Sequence, residues 1–395
     1  MDLLDVGRII VGLVLLTVGG EVLVRGASSL AARVGISSLV VGLTVVSTAT
    51  STPELAVTVG AVMRDEPGLA VGNVVGSNIA NVLLILGISA LVLPLLVKQR
   101  LVRLDLPIMV LLSVMLLVMS LDGGIGLVDG IILLAVLIGY TVMTVLVSRR
   151  EAVAERAADR PGGDGTAGPG TGAGTREGDP GGTAGVGPEP AAASEEMPSV
   201  SVPKSLLLVV IGVALLVAGA TVLVEGAVNT ATAFGVSSLV VGLTVVAVGT
   251  SLPELAVSVI AVRRGERDLA VGNVVGSNIA NIGLVLGLPA ILSADGLPVP
   301  DAAVALDIPL MLAAAVALLP IAFTGFVVAR WEGGLFLALY AAYTAFVVLA
   351  ATQHDALEGF TTVMAWFVLP LVAVTLIAVT AHEIGLHRGR REKTG

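Results

Sequence analysis

Long apolar runs follow one another along most of the chain, and they predict membrane-spanning helices. The runs lie near 7–25, 37–62, 70–96, 104–121 and 127–148, and again near 204–225, 237–262, 270–293, 303–326 and 332–351. Each reaches or approaches the roughly 20 residues that cross a bilayer as a helix. A further run near 358–381 has no counterpart in the first half. The pattern predicts an all-α polytopic membrane protein with two five-helix units and an eleventh, C-terminal transmembrane helix.

A stretch rich in Gly, Pro, Ala and charge separates the two units at 149–202. Such a stretch buries too little apolar surface to order itself, so we expect a disordered cytoplasmic linker rather than a regulatory domain. The predicted organisation is a first repeat at 1–148, the linker at 149–202, a second repeat at 203–351, and an extra transmembrane helix with a basic tail at 352–395.

Composition agrees with a membrane protein. Hydrophobic residues make up 56% of the 395 residues, charged residues only 13%, and the mean hydropathy is +1.01. Soluble domains carry about 25% charged residues. The absence of cysteine excludes disulfides and thiolate metal sites. The first ten residues lack the basic start of a signal peptide, so we expect them to lead into the first span.

The distribution of basic residues predicts the orientation in the membrane, because cytoplasmic connections are enriched in Lys and Arg. With the N-terminus outside, the inside connections hold Arg25, Arg33, Lys98, Arg100, Arg103, Arg149, Arg150, Arg263, Arg264, Arg267, Arg330, Arg388, Arg390, Arg391 and Lys393. The outside connections keep Arg8 and Arg64 and hold the acids Asp122, Asp129, Asp295, Asp301, Asp355 and Glu358. We therefore expect a multi-pass protein of the cytoplasmic membrane, with the linker and the C-terminal tail in the cytoplasm.

Thirteen residues occur twice, at a fixed offset of 200: LAVGNVVGSNIAN stands at Leu69–Asn81 and again at Leu269–Asn281. SSLVVGLTVV and PELAV also recur at this offset. Such identity indicates a duplicated structural unit. Five spans is an odd number, so the two copies should be inverted in the membrane, as in many secondary transporters.

Each copy carries a glutamate beside a proline in an apolar run. The first copy reads Thr50-Ser51-Thr52-Pro53-Glu54, and the second Thr250-Ser251-Leu252-Pro253-Glu254. Proline has no backbone N–H, so a carbonyl one turn earlier loses its helical partner, which membrane helices tolerate only beside protein or a polar cavity. Hydroxyls, a carboxylate and free carbonyls form an all-oxygen set that suits hard cations. For Thr50 or Ser51 alone, bonding to the own helix is an equally good interpretation.

The next helix of each copy adds polar residues one turn apart. Asn73, Ser77 and Asn81 share a face, with Gly72 and Gly76 beside them. The glycines are interpreted as a packing motif. Asn73 and Asn78 fit a structural role, whereas Ser77 and Asn81 are placed to complete the oxygen set around the two glutamates.

The doubled motif, G-L-T-V-V-x-x-x-T-S-x-P-E followed by G-N-x-x-G-S-N-I-x-N, resembles the alpha repeats of the sodium/calcium exchanger superfamily, and most closely those of bacterial calcium/sodium antiporters. The resemblance covers nearly all of residues 1–350 and implies a ten-helix core with its site at mid-membrane. It implies ion ligands at Thr50, Ser51, Glu54, Ser77, Asn81, Thr250, Ser251, Glu254, Ser277 and Asn281. Backbone carbonyls near Ser47 and Ala247 would join them.

The resemblance implies that this protein is not an enzyme but an antiporter that exchanges Ca²⁺ for Na⁺ by alternating access, in the direction of calcium export. Some family members have aspartate where Asn281 stands, so this site offers two carboxylates rather than three. That difference leaves H⁺ or K⁺ coupling open beside Na⁺, and a cation channel is the alternative of another class. The expected partners are the lipid bilayer and the transported cations; no cofactor and no nucleic acid are expected, and the number of subunits stays open.

Overall fold

A computed structural model describes residues 3–158, 201–235, 244–245, 247–293, 295–323, 326–375 and 377. Within these ranges nine helices are long and apolar enough to cross a membrane, and a bent helix pair makes a tenth. The prediction of an all-α polytopic membrane protein is confirmed. The linker prediction falls mostly on residues outside the described ranges.

The described helices follow the predicted runs, with longer ends at several places. In chain order they are α1 (Leu3–Val34), α2 (Ser38–Thr50), α3 (Thr52–Met63), α4 (Pro67–Val92), α5 (Leu101–Asp122), α6 (Leu127–Ala158), α7 (Val202–Ala233), α8 (Ala247–Gly249), α9 (Leu252–Arg263), α10 (Arg267–Leu292), α11 (Ala303–Ile321), α12 (Arg330–Ala351) and α13 (Ala356–Thr375). The run predicted at 237–262 is only partly described, because 236–243 and 246 lie outside the described residues.

The predicted helix breaks are present at both prolines. Helix α2 ends at Thr50 and α3 begins at Thr52, and their axes meet at 41°. The backbone of Ser51 between them has φ −79° and ψ 6°, outside the helical region. In the second copy α9 begins at Leu252 after a similar turn at Ser251, with φ −90° and ψ 7°. Each proline therefore stands in the first turn of a new helix, where its missing N–H costs least.

The two halves contact each other reciprocally across helices α1 and α7. A Cβ added at Gly12 would lie 2.7 Å from the backbone nitrogen of Leu223, and one added at Gly212 would lie 2.7 Å from that of Leu23. Each contact becomes the other when 200 is added to one residue and subtracted from its partner. The close approach extends along a seam of glycines spaced by seven residues: Gly12, Gly19 and Gly26 on α1, and Gly212, Gly219 and Gly226 on α7. Small residues let membrane helices pack backbone to backbone.

Two short antiparallel strand pairs tie the helix ends of one half to those of the other. Strand β1 (Leu95–Leu96) pairs with β4 (Val327–Val328), and β2 (Gly124–Ile125) pairs with β3 (Leu297–Pro298). Every strand finds its partner in the opposite half. The core therefore consists of two intertwined halves, and the helix breaks of both lie in its interior.

Candidate functional site

The broken helices bring Glu54 and Glu254 together in the interior, where both side chains are buried. The Ser251 hydroxyl donates to Glu54 Oε1 at 3.3 Å, and the Ser51 hydroxyl donates to Glu254 Oε1 at 3.5 Å. Each half thus supplies the serine that contacts the carboxylate of the other half. The two acids belong to one site rather than to two separate ones.

An asparagine fixes the start of each helix that carries a glutamate. The Asn73 amide donates to the backbone carbonyl of Glu54 at 3.1 Å and to the hydroxyl of Thr58 at 3.0 Å. In the second copy, Asn273 donates to the carbonyl of Glu254 at 3.4 Å and to the hydroxyl that matches Thr58 at 3.1 Å. These bonds hold α4 against α3, and α10 against α9, beside the carboxylates.

Thr50 bonds within its own helix, as one of the two interpretations holds, and it also contacts the other half. Its hydroxyl donates to the carbonyl of Ser47 in its own helix at 3.3 Å, and Asn273 Oδ1 lies 3.3 Å away as a second acceptor in the other half. Thr250 is partly buried at the matching position, and the backbone of Ala247 begins helix α8. Among the predicted hydroxyls, those of Ser51 and Ser251 contact the carboxylates directly, each from the opposite half.

Several buried oxygens at this site have no hydrogen-bond partner among the described residues. They are Glu54 Oε2, Glu254 Oε2, Ser77 Oγ, Ser277 Oγ, Asn81 Oδ1 and Asn281 Oδ1. Buried polar atoms are nearly always paired, so a cluster of unpaired oxygens requires an explanation. A hard cation would satisfy carboxylate, hydroxyl and amide oxygens together, since all three are its preferred ligands.

The asparagines at the ends of the duplicated segment are not equivalent. Asn281 Nδ2 donates to Asn78 Oδ1 at 3.1 Å, and Asn78 in turn donates to the backbone carbonyl of Asn278 at 3.4 Å. Asn81 has neither its amide nitrogen nor its oxygen paired among the described residues. Asn81 and Asn281 each begin a π-helical turn, Asn81–Ile85 and Asn281–Leu286. π-Helical turns are rare in proteins, and those that occur often lie at functional sites.

The site has two carboxylates and neutral oxygens. Among the described residues no group of three or more His, Cys, Asp or Glu is arranged to hold a metal ion. Two negative charges balance one divalent cation or two monovalent ones. The donor set fits hard cations by its oxygen chemistry.

Sequence reasoning missed parts of this arrangement. Asn73 was interpreted as structural, but nothing indicated that it and Asn273 brace the glutamate backbones. Thr58 and Ser258, which complete that brace, were not singled out, although each lies one turn after its glutamate. The recurrence of a hydroxyl residue at the same offset was the available signal.

The packing predicted for Gly72 and Gly76 is found at their counterparts in the second copy. A Cβ at Gly272 would lie 2.5 Å from the carbonyl oxygen of Leu39, and one at Gly276 would lie 2.6 Å from that of Leu43. At Gly72 and Gly76 a Cβ would meet no atom of the described residues within 4 Å.

A cavity of about 370 Å³ reaches the site from one side. It begins beside the exposed residues Gly68 and Leu69 at the start of α4 and extends to Ser77 and Thr250. Helices α11 and α12 form its other wall. The matching face of α10 lies against α2 and is buried throughout from 269 to 281.

Polar contacts join the turn before α10 to other parts of the chain. Lys98 Nζ lies 2.5 Å from Asp268 Oδ2, and the Ser28 hydroxyl donates to Glu266 at 3.1 Å. Arg264 forms an ion pair with Glu21 of α1. Within the described part of the chain, the ion pair of the corresponding turn before α4 is the local one of Arg64 with Glu66, at 3.9 Å.

Known membrane proteins resemble this chain over most of its length. The chain is 37% identical over 292 residues to the inner membrane protein YrbG of Escherichia coli strain K12, covering 74% of this chain and 81% of that protein. It is 32% identical over 358 residues to the sodium/calcium exchanger MaX1 of Methanosarcina acetivorans, covering 85% of this chain and 96% of the relative.

A solved structure of the sodium-calcium exchanger NCX_Mj, soaked with Na⁺ and Sr²⁺, superimposes with a TM-score of 0.68 at 31% identity. The match covers 87% of this chain and 99% of that one. The model of the family described as "Sodium/calcium exchanger protein" matches residues 4–146 and 204–349, and so contains both glutamates and both copies of the duplicated segment. On these grounds the chain is a member of the sodium/calcium exchanger protein family.

Proposed function

We propose that this protein exchanges Ca²⁺ for Na⁺ across the cytoplasmic membrane, in the direction of calcium export. The observation that carries the proposal is the set of unpaired buried oxygens around Glu54 and Glu254. One relative is called a sodium/calcium exchanger, which supports this pair of cations. Another is called a putative antiporter, which supports exchange.

Charge balance supplies the exchange mechanism. A Ca²⁺ ion held between Glu54 and Glu254 neutralises both carboxylates, with hydroxyl and amide oxygens completing its shell. Na⁺ ions in adjacent positions, bounded by Ser77, Ser277 and the backbone carbonyls, neutralise the same two carboxylates. Leaving either acid charged and unpaired in the interior is costly. Bound Ca²⁺ therefore excludes Na⁺, and bound Na⁺ excludes Ca²⁺. With the site empty, the protein does not readily change from one conformation to the other.

An inverted arrangement of the halves gives alternating access, because each half can adopt the conformation that the other half has. The reciprocal contacts of α1 with α7 support it. The glycine seam packs α1 and α7 backbone to backbone, so we expect the two helices to slide together as one unit along the rest of the core. The sliding would close the cavity beside α4 and open a matching one beside α10.

The basic residues of the connections support a location of the N-terminus outside the cell. With this orientation the cavity beside α4 faces outward, and the Lys98–Asp268 and Arg264–Glu21 pairs close the cytoplasmic side. The conformation is then outward-facing.

Uptake of radiolabelled calcium into proteoliposomes tests the proposal, with a gradient of Na⁺, K⁺ or H⁺ imposed in separate experiments. We expect an outward Na⁺ gradient alone to drive saturable calcium uptake. Uptake driven by H⁺ or K⁺ without Na⁺ would contradict sodium coupling. Calcium flux without any countercation, at rates that do not saturate, would indicate a channel.

A further inference from the structure

A second pair of acids is duplicated in this fold, outside the ion site. The Tyr140 hydroxyl donates to Asp105 Oδ1 at 2.9 Å in the first half, and the Tyr343 hydroxyl donates to Asp307 Oδ1 at 3.4 Å in the second. Each aspartate ends a π-helical turn, at the start of α5 and α11 respectively. Each tyrosine is followed by threonine and lies in the middle of α6 or α12.

The two pairs have different surroundings. Asp105 and Tyr140 are 0% and 4% exposed, so the first pair is sealed inside the protein. Asp307 and Tyr343 are only partly buried, and both line the cavity that leads to the ion site. The same cavity is lined by Ser77 of the predicted ligand set.

We infer that Asp307 and Tyr343 form a second cation site, in the cavity, which captures a hydrated Na⁺ or Ca²⁺ ion before it enters the transport site. Asp105 and Tyr140 occupy the matching position in the first half, where Arg100 lies beside them and donates to the backbone carbonyl of Thr144, one turn after Tyr140, at 3.0 Å. A positive charge is already present there, so the first pair is not assigned as a cation site. The inference rests on the proposed function, because it concerns the supply of ions to Glu54 and Glu254.

Electrostatics favours a cation at this position. Asp307 places a carboxylate in the wall of a cavity that is surrounded by protein of low dielectric constant. A charged cleft of this kind concentrates counter-ions. The described lining of the cavity contains no Lys or Arg that would neutralise the carboxylate. Tyr343 donates one hydrogen bond to Oδ1, which orients the carboxylate and leaves its other lone pairs available for a cation or its water.

The size of the cavity indicates that the captured ion keeps water. A volume of about 370 Å³ is far larger than the roughly 10–15 Å³ that one water molecule needs on the same measure. A single carboxylate and a few hydroxyls do not replace the six to eight oxygens around Ca²⁺. The ion is therefore held loosely at Asp307 and loses its water only on reaching the two glutamates, where oxygens from both halves are available.

The duplicated pairs allow a matched test with sidedness. Asp307→Asn and Asp105→Asn are expressed separately, and exchange is measured in right-side-out and in inside-out membrane vesicles from the same cells. For Asp307→Asn we expect the KM for Ca²⁺ to rise about three- to tenfold from the face that the cavity serves, as for loss of one partly screened charge. Asp105→Asn is the matched control, because Asp105 is buried and does not line the cavity; it should leave the ratio of the KM values from the two faces unchanged.

A change of the calcium KM from one face alone distinguishes an ion-capturing role from a structural one. A general packing defect changes the KM equally from both faces, and this result, or unchanged KM values, would overturn the inference. Tyr343→Phe is a second variant for which we expect a smaller rise from the same face as Asp307→Asn; no one-sided change in either variant would also overturn it. Lack of exchange in the wild-type vesicles would instead refute the proposed function itself.

Discussion

The segments Leu69–Asn81 and Leu269–Asn281 are identical in sequence and differ in surroundings. In the first, Gly72 is exposed and Asn73 and Gly76 are partly buried beside the cavity. In the second, every residue is buried. The same letters therefore form a cavity wall in one half and a packed interior in the other.

Identical sequences cannot encode this difference locally, so it comes from what packs around each segment: α2 against the second segment, and the cavity with α11 and α12 beside the first. The proposed alternating access predicts a second conformation in which the surroundings are exchanged. In that conformation α4 packs as α10 does here, and α10 lines a cavity. Making the same change in both copies tests whether the surroundings of the two segments are exchanged.

The largest effect is expected where the two copies serve one site. Glu54→Gln and Glu254→Gln each remove one of the two charges that balance Ca²⁺ while keeping the side-chain volume. We expect either variant to lower calcium exchange by about a hundredfold or more, which corresponds to roughly 2.7 kcal/mol of lost interaction. The measurement is sodium-driven calcium uptake into proteoliposomes, with size-exclusion profiles to show intact folding.

Glu225→Gln is the matched control, because Glu225 is an exposed acid of α7 away from the site. It should retain the wild-type rate. Wild-type exchange in either Glu54→Gln or Glu254→Gln would show that the acid pair does not bind the transported ions.

An intermediate effect is expected from alanine at the matched glycines Gly72 and Gly272. A methyl group at Gly272 would lie 2.5 Å from the carbonyl oxygen of Leu39, and such overpacking costs about 1–3 kcal/mol. Gly272→Ala should therefore lower the melting temperature in detergent. Gly72→Ala should melt within the error of the wild type, because its methyl group meets no described atom within 4 Å.

Transport rates provide a second comparison of the two alanine variants. If the surroundings exchange, Gly72→Ala destabilises the other conformation by the same 1–3 kcal/mol and slows turnover by roughly fivefold or more. A variant that melts like the wild type and yet transports slowly is the expected signature. Equal melting temperatures for the two alanine variants would contradict the comparison of the two segments.

The smallest effect is expected from the charged turns. Arg264 joins its turn to Glu21 of α1, whereas the ion pair of Arg64 among the described residues is with Glu66 of its own turn. Partly exposed ion pairs contribute at most about 1 kcal/mol. Arg264→Gln should thus shift the balance of the two conformations by up to about fivefold, and Arg64→Gln should shift it less.

The shift is measured as the ratio of calcium KM values from the two faces in oriented vesicles, at low and high ionic strength. Salt should remove the difference between wild type and Arg264→Gln, because exposed pairs are screened. A shift that persists at high salt would mean that the arginine acts through packing.

Much of the fold was predictable from the sequence, because the apolar runs are long and the proline breaks are local features. The convergence of Glu54 with Glu254 also followed, since duplication placed a matched acid in each half. The hydrogen bonds of Asn73 and the Asp105–Tyr140 pair were not predicted, because they join residues from different helices. The unequal burial of the two identical segments could not be predicted from their letters at all.

The glycine seam of α1 and α7 has a consequence for biogenesis. These helices begin at Leu3 and Val202, so α1 leaves the ribosome well before its partner. At roughly 5–20 residues per second, the delay is about 10–40 s. During this interval the nascent first half resides in the bilayer with the glycine face of α1 turned to lipid or to provisional neighbours. The interface of α1 with α7 therefore forms only after α7 has been inserted, and the first half cannot reach its final packing alone.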